Sequence, residues 1–165
     1  MHADFSDIDR RMMELALEEA NKAMALGEVP IGAVVGLNGE VISRAHNLRE
    51  TTQDPTAHAE LLVIRQAAEI LGSWRLLDTA LYVTLEPCVM CMGAIILARI
   101  PKLIFASRDP RAGAVGSIYR LHEDERFNHR VEVAEGLLAD ECSELLSGFF
   151  RRLRQEKRDR KNSQY

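Results

Sequence analysis

Two short segments, T-A-H-A-E at residues 56–60 and L-E-P-C-V-M-C at residues 85–91, constrain the fold more than any other feature of this chain. His58, Cys88 and Cys91 are nitrogen and sulfur donors of the kind that hold zinc tetrahedrally. A C-x-x-C pair on a helix N-terminus lets both sulfurs reach one ion, and the electropositive helix end favours thiolate over thiol. Each segment follows a loop or strand and opens a helix, so His58 can supply the third donor only where two separate helix starts meet.

The rest of the sequence reads as a frame able to do that. Residues 7–26 place Ile8, Met12, Leu15, Ala16, Ala23 and Leu26 at helical spacing, and Gly27 stops the helix. Val29 to Leu37 is an apolar β-rich run, Asn38-Gly39 is a hairpin turn, and Glu40 to Ala45 returns antiparallel. A loop spans 47–56. A second helix runs from His58 to Leu71 and closes at Gly72. Thr79–Leu85 is a strand, and Pro87 opens a third helix that reaches Arg99. Strands follow at Lys102–Ala106 and Val131–Ala134 with an irregular stretch, 107–128, between them; a last helix covers Asp140 to about Arg160. The β-α-β units from residue 79 onward favour parallel pairing. The expected architecture is α/β, with a mixed five-stranded sheet and helices on both faces.

Bulk properties narrow the class. A length of 165 residues suits a single domain spanning 1–165, and 47% hydrophobic with 28% charged residues is the balance of a soluble globular protein. No apolar run is long enough to cross a bilayer, and the acidic, mixed start MHADFSDIDRRMM is not a secretory leader, so the cytoplasm is the expected location. Three cysteines, Cys88, Cys91 and Cys142, argue against a disulfide framework. The net charge of -4 hides an asymmetry: residues 151–165 hold seven Lys/Arg and two Asp/Glu, +5, leaving -9 on the rest. A basic end on an acidic body is either a phosphate-seeking patch or a solvated helix terminus, and charge alone favours the second.

Three protein ligands leave one coordination position open, the catalytic and not the structural pattern, and a water there is acidified toward neutrality. Glu60, two residues after His58, can take a proton from such a water and pass it to a leaving amine without ligating the metal. A redox C-x-x-C would leave His58 and Glu60 without a use. A closed site with His46 or His129 as fourth ligand lacks finger-like spacing. H-x-E followed by P-C-x-x-C is the pattern of the zinc-dependent nucleobase deaminases. Of the remaining residues, Cys142 reads as a buried thiol, Met90 and Met92 as core filler, and His122 and His129 as surface residues. Trp74 reads as a core anchor or a dimer contact, and Asp109 as a turn residue in preference to a loop contact to substrate.

Six motifs extend the pattern: G-E-V-P-I-G-A (27–33), D-P-T-A-H-A-E (54–60), L-Y-V-T-L-E-P-C-V-M-C (81–91), R-D-P (108–110), F-N-H-R-V-E-V (127–133) and F-F-R-R-L-R (149–154). Together they resemble the bacterial tRNA-specific adenosine deaminases over about residues 8–157. That resemblance implies the three-layer α/β/α cytidine-deaminase-like fold, a homodimer, one zinc ion per subunit, and conversion of the wobble adenosine of a tRNA anticodon to inosine. It places the zinc ligands at His58, Cys88 and Cys91 and the proton shuttle at Glu60. Base and ribose contacts fall at Asn47, Ala59 and Asp109, which raises Asp109 above a mere turn residue. The grip on the anticodon loop falls at Arg154 and the basic end, with Phe149 or Phe150 nearby. Two positions depart from the family pattern, Met92 where a small residue is expected and Ser107 where Ala or Gly is usual; both bear on fine substrate preference and not on the chemistry. The zinc motifs alone also admit a free-base or nucleotide deaminase such as a guanine deaminase, which has no need of a basic end.

Overall fold

The computed structural model describes residues 3–164. Its first helix, α1 (Asp7–Ala25), starts at a reciprocal cap: Ser6 Oγ accepts the Asp9 N–H, and Asp9 Oδ2 accepts the Ser6 N–H, both at 3.0 Å. Met12, Met13, Ala16, Ala20 and Ala23 form its buried face. Ile8 and Leu26, expected on that face, are about half exposed at 50% and 56%. The face is turned toward the alanines because α1 lies directly on β1 (Gly32–Leu37): a Cβ on Gly32 would sit 2.0 Å from the Ala16 carbonyl oxygen. Only small side chains on the helix and glycine on the strand permit that approach.

β1 begins at Gly32 and not at Val29. Pro30 has no N–H for a ladder, and Ile31 N–H folds back onto the Val29 carbonyl. Asn38 and Gly39, at φ of 52° and 79°, make the hairpin into β2 (Glu40–His46). The following loop contains one helical turn that periodicity does not show, α2 (Arg49–Thr52). Helix α3 (Ala59–Leu71) starts after His58 as its N-cap and ends at Gly72, which is left-handed at φ 64°. β3 (Thr79–Leu85) leads to α4 (Val89–Leu97), whose N-cap is Cys88. Pro87 therefore precedes the cap and does not occupy the first helical turn, a correction of two residues that puts both cysteines at the helix start. β4 (Lys102–Ser107), β5 (Glu132–Glu135) and α5 (Ala139–Asn162) complete the chain.

The sheet order is β2-β1-β3-β4-β5. β1 is antiparallel to both neighbours, and β3, β4 and β5 run parallel, as the β-α-β units require. Strand residues alternate between two apolar layers. Ala33, Val35, Leu81, Val83, Leu103 and Phe105 pack with α3 and α4; Val34, Tyr82, Ile104 and Ala106 pack with α1 and the start of α5. This is the expected three-layer α/β/α arrangement.

Several single residues differ from their sequence reading. Trp74 is 55% exposed, with the Arg75 guanidinium 4.1 Å above its ring, so it anchors no core. His122 and His129 are half-buried and not surface residues, and His129 Nε2 lies 2.7 Å from the Ile100 carbonyl. Met92 and Cys142 are buried as expected, and Met90 is half-buried. Among the described residues no helix is long and apolar enough to cross a membrane.

Candidate active site

Parallel strands leave the sheet at one edge, and their carboxyl ends are where α/β folds bind ligands. Here β3 exits through Glu86 and Pro87 into Cys88, while α3 brings His58 to the same point. His58 Nδ1 lies 3.7 Å from Cys88 Sγ and 3.5 Å from Cys91 Sγ, and all three donor atoms lie within 4.8 Å of one another. A tetrahedral ion with the usual zinc–sulfur and zinc–nitrogen bond lengths has N···S edges of about 3.6 Å. Both N···S edges thus already stand at the spacing such an ion requires.

The electrostatics of the triad favour one thiolate. Hydrogen bonding from Cys91, with help from His58, brings the Cys88 thiol down to about 4. That bond, with burial, pushes Cys91 far up, and the bond to Cys88 raises His58. A cation between the two sulfurs reverses the logic at Cys91, because it stabilises both thiolates. Glu60, in the first turn of α3, is 4% exposed. Burial lifts its carboxyl to about 7, against opposing pulls from Cys91 and His58.

His58, Glu60 and Cys88 line a cleft of about 750 Å³, and Cys91 lies buried behind them. Asn47 and Ala59 line it; Asn47 Oδ1 accepts the Arg49 N–H at 3.3 Å, and its Nδ2 makes a long 3.4 Å contact to the Val29 carbonyl. Asp109 also lines it. Its Oδ1 accepts the N–H groups of Arg111 and Ala112, so it is a turn residue that also faces the cleft. Along α5, Phe150, Arg151 and Arg154 face the cleft. Phe149 does not: it is half-buried beside Phe150, ring edge to face at 5.4 Å. Ser107 sits on the cleft wall with its hydroxyl 2.9 Å from both the Ala139 carbonyl and Ser143 Oγ, tying β4 to α5. Met92 is in the core and not in the cleft lining.

Two residues that sequence reasoning passes over shape the cleft walls. Glu28, 1% exposed, accepts the N–H groups of Glu50 and Thr51 and the Thr51 hydroxyl, and so holds α2 beside Asn47. Glu86, 2% exposed, binds the loop after β4. The one available signal is an acidic residue at the end of an apolar strand, in L-E-P.

A mixed sheet that gathers a His/Cys/Cys triad and a buried glutamate at the ends of its parallel strands defines the chain as a metal-site deaminase by class. In agreement, the MafB19-like deaminase family matches residues 8–154. A tRNA-specific adenosine deaminase of Bacillus subtilis (strain 168) is 54% identical over 150 residues, 91% of this chain and 93% of that one. A structure solved in studies of A-to-I editing by tRNA:A34 deaminases at the wobble position of transfer RNA superposes with a TM-score of 0.80. It is 48% identical, and the match covers 82% of this chain and 99% of that one. A guanine deaminase from Nitrosomonas europaea shares the fold at a TM-score of 0.71 with 26% identity, covering 90% of this chain and 85% of that one. The chain belongs to the tRNA-specific adenosine deaminase family.

Proposed function

We propose that this chain converts adenosine to inosine at the wobble position of a tRNA anticodon, releasing ammonia. The observation that carries the reading is the convergence of His58, Cys88 and Cys91, with both N···S edges at tetrahedral spacing, where His58 and Cys88 line a cleft whose rim is a basic helix. His58, Cys88 and Cys91 would hold one Zn²⁺ per subunit, which would supply Lewis-acid activation of water. Glu60 would take a proton from the water that adds to C6 of adenine and hand it to the departing amine, which leaves as ammonia. Burial keeps the Glu60 carboxylate away from bulk water, so the proton it takes is returned to the leaving group.

The other side chains recognise and orient. Asn47 offers a side-chain amide to the purine edge. Ala59, small and buried on the floor, leaves room for the ring. Asp109 accepts from the ribose. Arg154 grips the anticodon-loop backbone, with Phe150 beside it in the place the resemblance shared with Phe149. The bases of such a loop are already splayed, which lowers the cost of extracting one.

The same reading makes residues 1–165 a single deaminase domain acting in the cytoplasm, where its tRNA substrate is. It also makes the chain a homodimer, and exposed Val89, Leu97, Ile118, Tyr119 and Phe127 supply apolar surface for a second copy. A free-base deaminase, such as a guanine deaminase, is the second reading, but it leaves the +5 arm of residues 151–165, exposed over 151–164, without a purpose. The test is incubation with a bulk tRNA pool followed by inosine mapping. We expect inosine at the wobble position of a particular tRNA; inosine nowhere in the pool would refute the proposal.

A further inference from the structure

We propose that Glu86 is a positioning residue whose buried carboxylate holds the loop 109–117 in place and thereby sets Asp109 on the cleft wall. The inference rests on the reading of Asp109 as a substrate contact.

The loop has little regular structure of its own, yet it folds back against the metal motif. Ala114 N–H donates to the Pro87 carbonyl at 2.8 Å, and Gly113 bridges to Cys88. Its inward-facing amides need acceptors, since a buried unpaired N–H is costly. Glu86 provides them. Oε1 accepts the Asp109 N–H at 3.4 Å and the Ser117 hydroxyl at 2.6 Å; Oε2 accepts the N–H groups of Val115 and Ser117 at 3.2 and 3.3 Å. One side chain thus does for this loop what a neighbouring strand does for a ladder.

Although Glu86 reaches the cleft floor, its bonding assigns it to the loop and not to the reaction. A carboxylate has about four lone-pair sites. Four donors already occupy them, two on each oxygen, leaving none for substrate. Among the described residues no ion pair involves Glu86, so loop donors alone hold it. Gly113 shows the same constraint from the other side. A Cβ there would lie 1.8 Å from Glu86 Oε2 and 2.6 Å from the Asp109 carbonyl oxygen, so glycine is required for space.

Glu86→Gln keeps the shape but turns an amide group toward N–H donors. Its effect is to be read on the zinc-loaded protein in two ways. Amide hydrogen exchange at Val115 and Ser117 needs no substrate, and we expect it to quicken at least several-fold. On an anticodon stem-loop RNA, kcat/KM should fall on the order of tenfold or more, as for a misplaced contact, with zinc content unchanged. The double variant Glu86→Gln/Asp109→Ala should be no worse than Asp109→Ala alone, because a residue acting through Asp109 has nothing to lose once Asp109 is gone. Ser117→Ala, which removes a single bond, should shift exchange and activity in the same direction by less, and it serves if Glu86→Gln does not fold. Unchanged exchange, wild-type activity, or multiplicative losses in the double variant would each overturn the inference. If the unaltered protein does not deaminate the stem-loop, the functional reading fails, while the exchange measurement still decides whether Glu86 holds the loop.

Discussion

Removing residues 152–165 isolates the role of the basic arm. Every described residue from Phe150 onward is exposed, so the truncation uncovers no core and the body should keep its stability. The positions of α5 that face the cleft, Ser143, Leu146, Ser147, Phe150, Arg151 and Arg154, recur at helical spacing. Continued along the helix, that stripe passes through Lys157, Arg158 and Lys161. The truncation therefore deletes Arg154 and those three cations from the face that an RNA in the cleft would meet. If three of the four touch phosphates, the slope of log affinity against log salt flattens by about 2, at about 0.7 per contact to a single strand. A fourfold rise in salt, from about 50 to about 200 mM, should then cost the full chain about twentyfold more affinity than it costs the truncated one. Fluorescence anisotropy of a labelled anticodon stem-loop across that salt range measures both slopes. Equal slopes would refute the reasoning and make the arm a solvated helix end.

Three further outcomes are expected. Glu60→Ala should fold and keep its metal while kcat falls on the order of 10² to 10⁴, as for the loss of a general acid/base; near-normal turnover would remove Glu60 from the chemistry. Elemental analysis of the unaltered protein should give near-stoichiometric zinc, and Cys88→Ala should lose most of it; full retention would break the ligand assignment. Stability should fall in acid. Burial alone would raise the carboxyls of Asp9, Glu19 and Glu28, but hydrogen bonds from Tyr82 and Ser6, from His46, Lys22 and Arg44, and from Thr51 and Glu50 hold them below their ordinary values. Their contribution is present above the ordinary carboxylate range and lost as pH falls through the lowered folded values. The urea midpoint should therefore drop below about pH 4, and less steeply in Glu19→Gln.

What the sequence discloses follows the range of the interactions involved. Helix stops at Gly72 and the hairpin at Asn38-Gly39 are local events, and the structure places them where the residues do. The three donors are legible because each half of the motif opens a helix, so local rules aim them at one point. The buried face of α1 is less so: periodicity finds a helix but cannot say which stripe meets a strand, and the close approach of Gly32 to Ala16 selects the alanines. The clamps of Glu28 and Glu86 are illegible by periodicity, since their partners lie 22 to 31 residues away. Likewise the choice of Phe150 over Phe149 for the cleft depends on how α5 is rotated against β4, which no local pattern records.

Substrate identity is the most direct test of the central claim. A metal and a glutamate are indifferent to whether the amine is on C4 of a pyrimidine or C6 of a purine; discrimination comes from the pocket and from remote contacts. Binding energy from phosphates far from C6 serves to orient the base, so a truncated substrate should lose rate as well as affinity. The measurement is ammonia release and product formation on an anticodon stem-loop, free adenosine, guanine and cytidine, side by side at equal concentration. We predict efficient inosine formation in the stem-loop and little or no turnover of the other three. Faster turnover of free guanine than of the stem-loop would contradict it and put a free-base deaminase in its place.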